Sequence, residues 1–404
     1  MIVQKIIAYL LTHSTARKIA HIIYNTIGVI IYYCFWLLPI NKQKIVFINY
    51  NGNGFGDNPK YIASEILKRQ EHPNLVWLIQ KEKIPYANIP QGMKIVSYYS
   101  LKAMYEIATA AIWVNNNRMD GYVRKRKKQV YVQTWHGGFA LKKIEASSKA
   151  PSQYVKSAKR DSRMIDILIS NSRYNSQIFR QDFWYEKNLL EVGSPRNDIL
   201  VNSSKDPVER EKYRKQVCEL LGIPESKNIV LYAPTFRNNY DTSSYNLDIN
   251  KCMRSLITKF GGEWIFLIRL HPTMSNISTK MNQTNNSIYD VSFYPDMQEL
   301  LVASDILITD YSSSMFDFGL TKRPCFLYTP DLEHYINDDR GFYLTPKSLP
   351  FPLCENNDKL ESEILNLDTM TYLKELDRFH KKLEIFENGH ASESVVNWIL
   401  KHRH

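Results

Sequence analysis

The chain has 404 residues, of which 44% are hydrophobic and 23% charged, with five scattered cysteines. That length predicts two core-forming units rather than one, and the composition excludes a disordered or fibrous chain. A net charge of +11 calls for an anionic partner, which nucleic acid, anionic lipid or a phosphorylated substrate would each satisfy, while an odd cysteine count without CxxC points away from a disulfide framework or zinc site and fits a reducing compartment.

In chain order, the first feature is an uncharged stretch from Ile19 to Asn41 containing IIYNTIGVIIYYCFWLLPI. Its length approaches that of a membrane span, but His21, Asn25, Gly28 and Pro39 interrupt it, so a surface-lying helix, a buried core helix and a span all stay open. Lys5, Arg17 and Lys18 before it, with Lys42 and Lys44 after it, suit anionic headgroups. KIVFINY (Lys44 to Tyr50) then reads as a buried strand, followed by the turn NGNGFGDNP and a helix from about Lys60 to Arg69. NLVWLIQ, MKIVSYY, AAIWVNN and QVYVQTW continue a strand series with helices between. After a charged helical segment the alternation restarts at NIVLYAP and runs through WIFLIRL, SIYDVS, DILITD and PCFLYTP. Two alternating βα halves joined near Ser203 to Asp206 predict twin Rossmann-like domains facing a cleft, with ligands at the carboxyl ends of the strands.

Several strand ends carry groups suited to phosphate. DILITD ends in Thr309 and Asp310, and Ser312, Ser313 and Ser314 stand where an apolar helix begins; free amides and hydroxyls there can cradle a phosphate, although a simple helix cap, with Asp310 and Asp317 as turn and surface residues, is equally compatible. WIFLIRLHP delivers Arg269 and His271, and NIVLYAPTFR adds Thr235 and Arg237, whose guanidinium can clamp phosphate oxygens. In the first half, QTWHGGFALKK places His136 at a strand end as a candidate base for an alcohol.

These segments resemble the CDP-glycerol glycerophosphotransferase family, the teichoic-acid primases and polymerases with their capsule-synthesis relatives. The resemblance rests on QTWHG (Gln133 to Gly137) with LKK (Leu141 to Lys143), ISNSRYNSQIF (Ile169 to Phe179), GSPRND (Gly193 to Asp198), LYAPTFR (Leu231 to Arg237), RLHP (Arg269 to Pro272) and the run from Ser304 to Tyr343. It implies a GT-B architecture of two Rossmann-like domains, with the nucleotide in the C-terminal one. By the same resemblance His136 is the catalytic base and His271 steadies the donor diphosphate. Ser312 and Ser313 bind its phosphates, with Thr235, Arg237, Arg269 and Asp310 as neighbours. Trp135, Gly137, Lys142, Asn171, Ser172, Arg196, Asn197 and Asp198 then belong to the acceptor side or the cleft. The interval from WHG to LK is one residue longer than in the commonest teichoic-acid pattern, so a capsule-type relative stays open.

The resulting expectation is an α/β chain with a membrane-associated apolar arm (1–43), an acceptor-side domain (44–205) and a CDP-polyol-binding domain with C-terminal helices (206–404). It would move glycerol phosphate from CDP-glycerol to a teichoic-acid or capsule polymer or its polyprenyl-linked precursor, on the cytoplasmic face of the bacterial membrane. No metal ligand set declares itself, and a Mg2+ requirement is not readable. CDP-ribitol as donor, a nucleotide sugar as donor on the same fold, and a polyanion binder using RKRKK (Arg124 to Lys128) are the alternatives. No nucleic-acid module is recognisable.

Overall fold

The computed structural model describes residues 25–69, 73–235, 237, 245–270, 287–338 and 341–403. The first half forms a seven-stranded sheet: β1 (Asn41–Ile48), β2 (Asn74–Ile79), β3 (Met93–Ser97), β4 (Ala110–Asn115), β5 (Val130–Gln133), β6 (Ile167–Ser170) and β7 (Leu189–Glu191), in the order β3-β2-β1-β4-β5-β6-β7. Each pairing is parallel. A parallel sheet is covered on both faces, so its strands need side chains that are apolar in both directions. The continuous burial of Ile45, Val46, Phe47 and Ile48 in β1, and of β4 throughout, follows from that.

The second half repeats the scheme with six strands: β8 (Asn228–Tyr232), β9 (Trp264–Ile268), β10 (Ile288–Asp290), β11 (Ile306–Thr309), β12 (Cys325–Tyr328) and β13 (Leu353–Cys354). Their order is β10-β9-β8-β11-β12-β13, again parallel throughout. The strand order reverses beside β1 in one sheet and beside β8 in the other. Those are the places where loops diverge and leave a crevice at the carboxyl ends of the strands.

Three features differ from the sequence expectation. Residues 1–24 of the expected arm lie outside the described residues, and β1 already begins at Asn41. Residues 25–34 are helical and pack on the first domain: Tyr32 is fully buried, its ring 6.0 Å from that of Tyr122. Among the described residues no helix is long and apolar enough to cross a membrane. Second, the last helix, Ala391–Lys401, returns to the first domain, where Val395, Val396 and Ile399 join the cluster of Ile45, Phe47 and Trp77. Its start is fixed by Asp198, whose carboxylate accepts from the amides of Ala391 (2.8 Å) and Ser392 (2.7 Å). Third, the RKRKK run is largely engaged. Arg126 donates to the carbonyls of Phe35 and Leu38, Arg124 to those of Gly121 and Val123, and Lys125 pairs with Asp166. Lys127 and Lys128 are its exposed members.

Candidate active site

A cavity of about 1100 Å3 opens between the two sheets, lined by the loop after β1 (Tyr50 to Asp57), by His136 and Arg196, and on the other side by Arg269, Gln298 and Ser312–Ser314. His136 follows β5 directly and is partly buried. Its Nδ1 lies 2.7 Å from the carbonyl oxygen of Asn116. A carbonyl only accepts, so Nδ1 carries the proton and Nε2 is left bare and basic. Burial lowers the imidazole pKa below its usual value; the Asn116 carbonyl and the Asp57 carboxylate act in the opposite direction, and the Arg196 cation lowers it further. The product is a histidine that stays neutral at neutral pH, as a proton acceptor must.

The backbone that presents His136 is held from several directions. Trp135 adopts φ 52°, a left-handed conformation that costs a bulky residue about 1–3 kcal/mol and persists only where neighbours impose it. Gln133 Oε1 accepts its amide at 2.9 Å, and Asn58 Nδ2 donates to its carbonyl at 3.1 Å. The indole ring centroid sits 4.3 Å from that of His136 and 5.7 Å from the Arg118 guanidinium, which is itself paired with Glu145 and Asp161. Tyr50, donating to Asp57 at 3.1 Å, places its ring 5.1 Å from the imidazole.

On the opposite wall, β11 ends in Thr309, and Ser312 to Ser314 form the turn into the helix Ser314–Gly319. The hydroxyl of Ser312 accepts from the amide (3.3 Å) and hydroxyl (2.9 Å) of Ser314. Arg269, just past β9, lines the same cavity, and its Nη1 has no hydrogen-bond partner among the described residues. Burial pulls its pKa down, since no carboxylate fully offsets the cation. An anion bound in the cavity would relieve that cost.

His271 lies outside the described residues. Arg237 is 6% exposed and does not face the cavity; its cation is held by Asp310 (2.9 Å) and Asp331 (2.7 Å). Asp310 in turn accepts from the amide (2.8 Å) and hydroxyl (2.6 Å) of Thr235. Thr235, Arg237 and Asp310 therefore form one ion-paired brace behind the Ser312 turn. Gly137 borders the Trp135 indole. Lys142 meets the hydroxyl of Tyr335. Ser172 caps the helix Arg173–Asp182, and Asn171 accepts from Asn175 at 2.6 Å. Asn197 donates to Asp317 (3.2 Å) and Glu387 (2.9 Å). Of the acceptor-side and cleft residues expected, Arg196 alone lines the cavity; the others build the loop behind His136 or the domain seam. Tyr50, Asp57 and Asp317 line it too. The Gly/Asn-rich turn after β1 is the local signal for Asp57, Tyr50 ends the run read as a strand, and Asp317, read as a helix-surface candidate, is buried. Among the described residues no cluster of three or more His, Cys, Asp or Glu is arranged to hold a metal ion.

A basic imidazole on one wall, facing a serine-rich turn and a guanidinium on the other, suits a two-domain α/β protein of the group-transfer class. Residues 30–401 match the family CDP-Glycerol:Poly(glycerophosphate) glycerophosphotransferase, and the chain belongs to that family. It is 33% identical to the teichoic acid poly(glycerol phosphate) polymerase of Bacillus spizizenii, covering 96% of this chain and 97% of that one. It is also 33% identical to the polymerase of the same description from Staphylococcus epidermidis, of which it spans about half the length (51%). The teichoic acid glycerol-phosphate transferase of Staphylococcus aureus is 30% identical over 97% of this chain and all (100%) of its own. Among solved structures, the wall teichoic acid polymerase TagF superposes with a TM-score of 0.81 at 30% identity, over 96% of this chain and 97% of that one. A variant of that polymerase soaked with CDPG gives the same score of 0.81.

Proposed function

We propose that this chain transfers glycerol phosphate from CDP-glycerol to a hydroxyl of a teichoic-acid polymer and releases CMP. The observation that carries the reading is the bare Nε2 of His136 sharing a cavity with Arg269 and Ser312–Ser314. The acceptor hydroxyl gives its proton to Nε2 as its oxygen attacks the phosphorus bearing the glycerol. The bond from that phosphorus to the bridging oxygen breaks, and CMP leaves with the electron pair. Phosphoryl transfer depends mainly on positioning and on stabilising charge at the phosphoryl oxygens. Arg269 and the turn at Ser312 and Ser313 are placed for that work, and His271 is assigned to the diphosphate by family resemblance. Two Rossmann-like domains of GT-B type, with the donor on the second, fit this division. Purified protein incubated with teichoic-acid acceptor and CDP-glycerol should release CMP. Release from CDP-ribitol alone, or of UDP from a nucleotide sugar, would replace the donor in this reading.

The same reading puts the chain at the cytoplasmic face of the membrane, where polyprenyl-linked acceptors are held. Ile27 (52% exposed), Ile30 (62%), Tyr33 (45%) and Leu37 (89%) turn apolar surface to solvent. Arg126 ties the end of this segment to the loop bearing the exposed Lys127 and Lys128. Apolar side chains beside lysines suit an anionic bilayer surface. Co-flotation with phosphatidylglycerol vesicles, weakened by Leu37→Glu, is expected; equal flotation of both proteins would remove this support.

A further inference from the structure

Arg196 sits in the short 3-10 turn Pro195–Asn197 and is 4% exposed, yet its guanidinium reaches both walls of the cavity. Nη1 donates to the carbonyl of His136 at 2.6 Å and to Asp57 at 2.8 Å. Nη2 lies 2.9 Å from the Asp317 carboxylate, on the helix that begins at Ser314. The Arg196 amide donates to Asn58 Oδ1 at 3.1 Å, and the Nδ2 of the same Asn58 side chain holds the Trp135 carbonyl. The two loops also meet directly. A Cβ added to Gly138, two residues past His136, would stand 3.0 Å from Asp317 Oδ1 and 3.3 Å from the Ser313 carbonyl oxygen.

From this geometry we infer that Arg196 is a positioning residue for the transfer: its fork fixes the distance between the base His136 and the phosphate-facing turn Ser312–Ser314. The inference rests on the reading of function given above. A planar fork can hold the His136 carbonyl, Asp57 and Asp317 at once because its donors diverge in fixed directions; an ammonium carries the same charge at a single point and has no such reach. Gly138 permits the close approach that the fork maintains. Displacement of a base by about 1 Å costs as much as about 100-fold in rate.

The test compares the wild type with Arg196→Lys, Gly138→Ala and the double variant, using CMP release from CDP-glycerol and amide hydrogen exchange. Arg196→Lys and Gly138→Ala are each expected to lower kcat by about 10- to 100-fold while KM for CDP-glycerol moves less than about threefold. The double variant should lose less than the product of the two, because both act on one distance. In Arg196→Lys, amide exchange over residues 134–139 should quicken. A raised KM with unchanged kcat would make Arg196 a substrate contact through Nε, which has no partner among the described residues, and would overturn the inference. So would wild-type kcat in either single variant, or multiplicative losses in the double. If Arg196→Lys does not fold, the kcat of Gly138→Ala decides. A wild type that releases no CMP from CDP-glycerol would sink the function reading instead; the inference then stands or falls on exchange over residues 134–139 in Arg196→Lys, and unchanged exchange would overturn it.

Discussion

At the residue scale, His136 is defined by what its two ring nitrogens face. Nδ1 is committed to the Asn116 carbonyl, so proton transfer falls to Nε2. His136→Ala is expected to lower kcat about 10²- to 10⁴-fold, the usual loss for a general base, measured as CMP release. The acid limb of kcat/KM should fall below about 6.5, the ordinary histidine value, because burial holds the imidazole pKa down even against the Asn116 carbonyl and Asp57. An acid limb above that value would mean that Asp57 dominates. The proposed base stands out in the sequence as a histidine at a strand end followed by two glycines. Its partners do not, since Asn116, Tyr50 and Arg196 reach it from other segments of the chain, and no local spacing encodes such contacts. Arg237 shows the converse: its type suits phosphate clamping, but two carboxylates brought in by folding occupy it.

At the scale of elements, the helix Ala391–Lys401 depends on a cap that lies in the other half of the sequence. Asp198 accepts from two of its first amides and, among the described residues, pairs with no arginine or lysine, so its contribution is that of a helix cap buried at the seam. Asp198→Ala should therefore destabilise by about 1–2 kcal/mol and raise amide exchange in this helix before others, as followed by thermal melting and hydrogen exchange. Uniform loss of protection across both sheets would contradict a local role. The long apolar strands were legible from their runs of β-branched residues: KIVFINY contains β1 from Lys44 onward, and NIVLYAP contains β8. β6, β7 and β13, of four, three and two residues, were missed, because so short a run carries no periodicity. The return of the last helix was missed for a different reason. What it docks on, Asp198 and the cluster holding Ile62 and Ile66, stands far earlier in the chain, where no local pattern points to it.

For the whole molecule, the relation between the domains is set by buried charges as well as by the covalent linker. Lys60, on the helix Asp57–Lys68 of the first domain, meets Asp296 at 2.5 Å and Glu299 at 2.6 Å on the second, and Tyr61 donates to Asp296 at 3.0 Å. Burial pushes the Asp296 carboxyl up, but the Lys60 ammonium and the hydrogen bonds outweigh it and hold the group below its ordinary value. The stability it contributes is thus present above the unfolded carboxyl pKa and lost as pH falls through the lower folded value. Removing the ammonium reverses that sign. In Lys60→Met the two buried carboxylates lose their paired ammonium, a cost of about 3–5 kcal/mol, and burial now raises the Asp296 pKa. The folded variant then takes up protons at mildly acidic pH, which neutralises the unpaired charge. The stability gap between wild type and Lys60→Met is accordingly expected to be widest at neutral pH and to narrow as pH falls toward 5, read from urea denaturation at each pH. A gap that stays constant or widens would assign the loss to packing of the lysine stem and not to the ion pair.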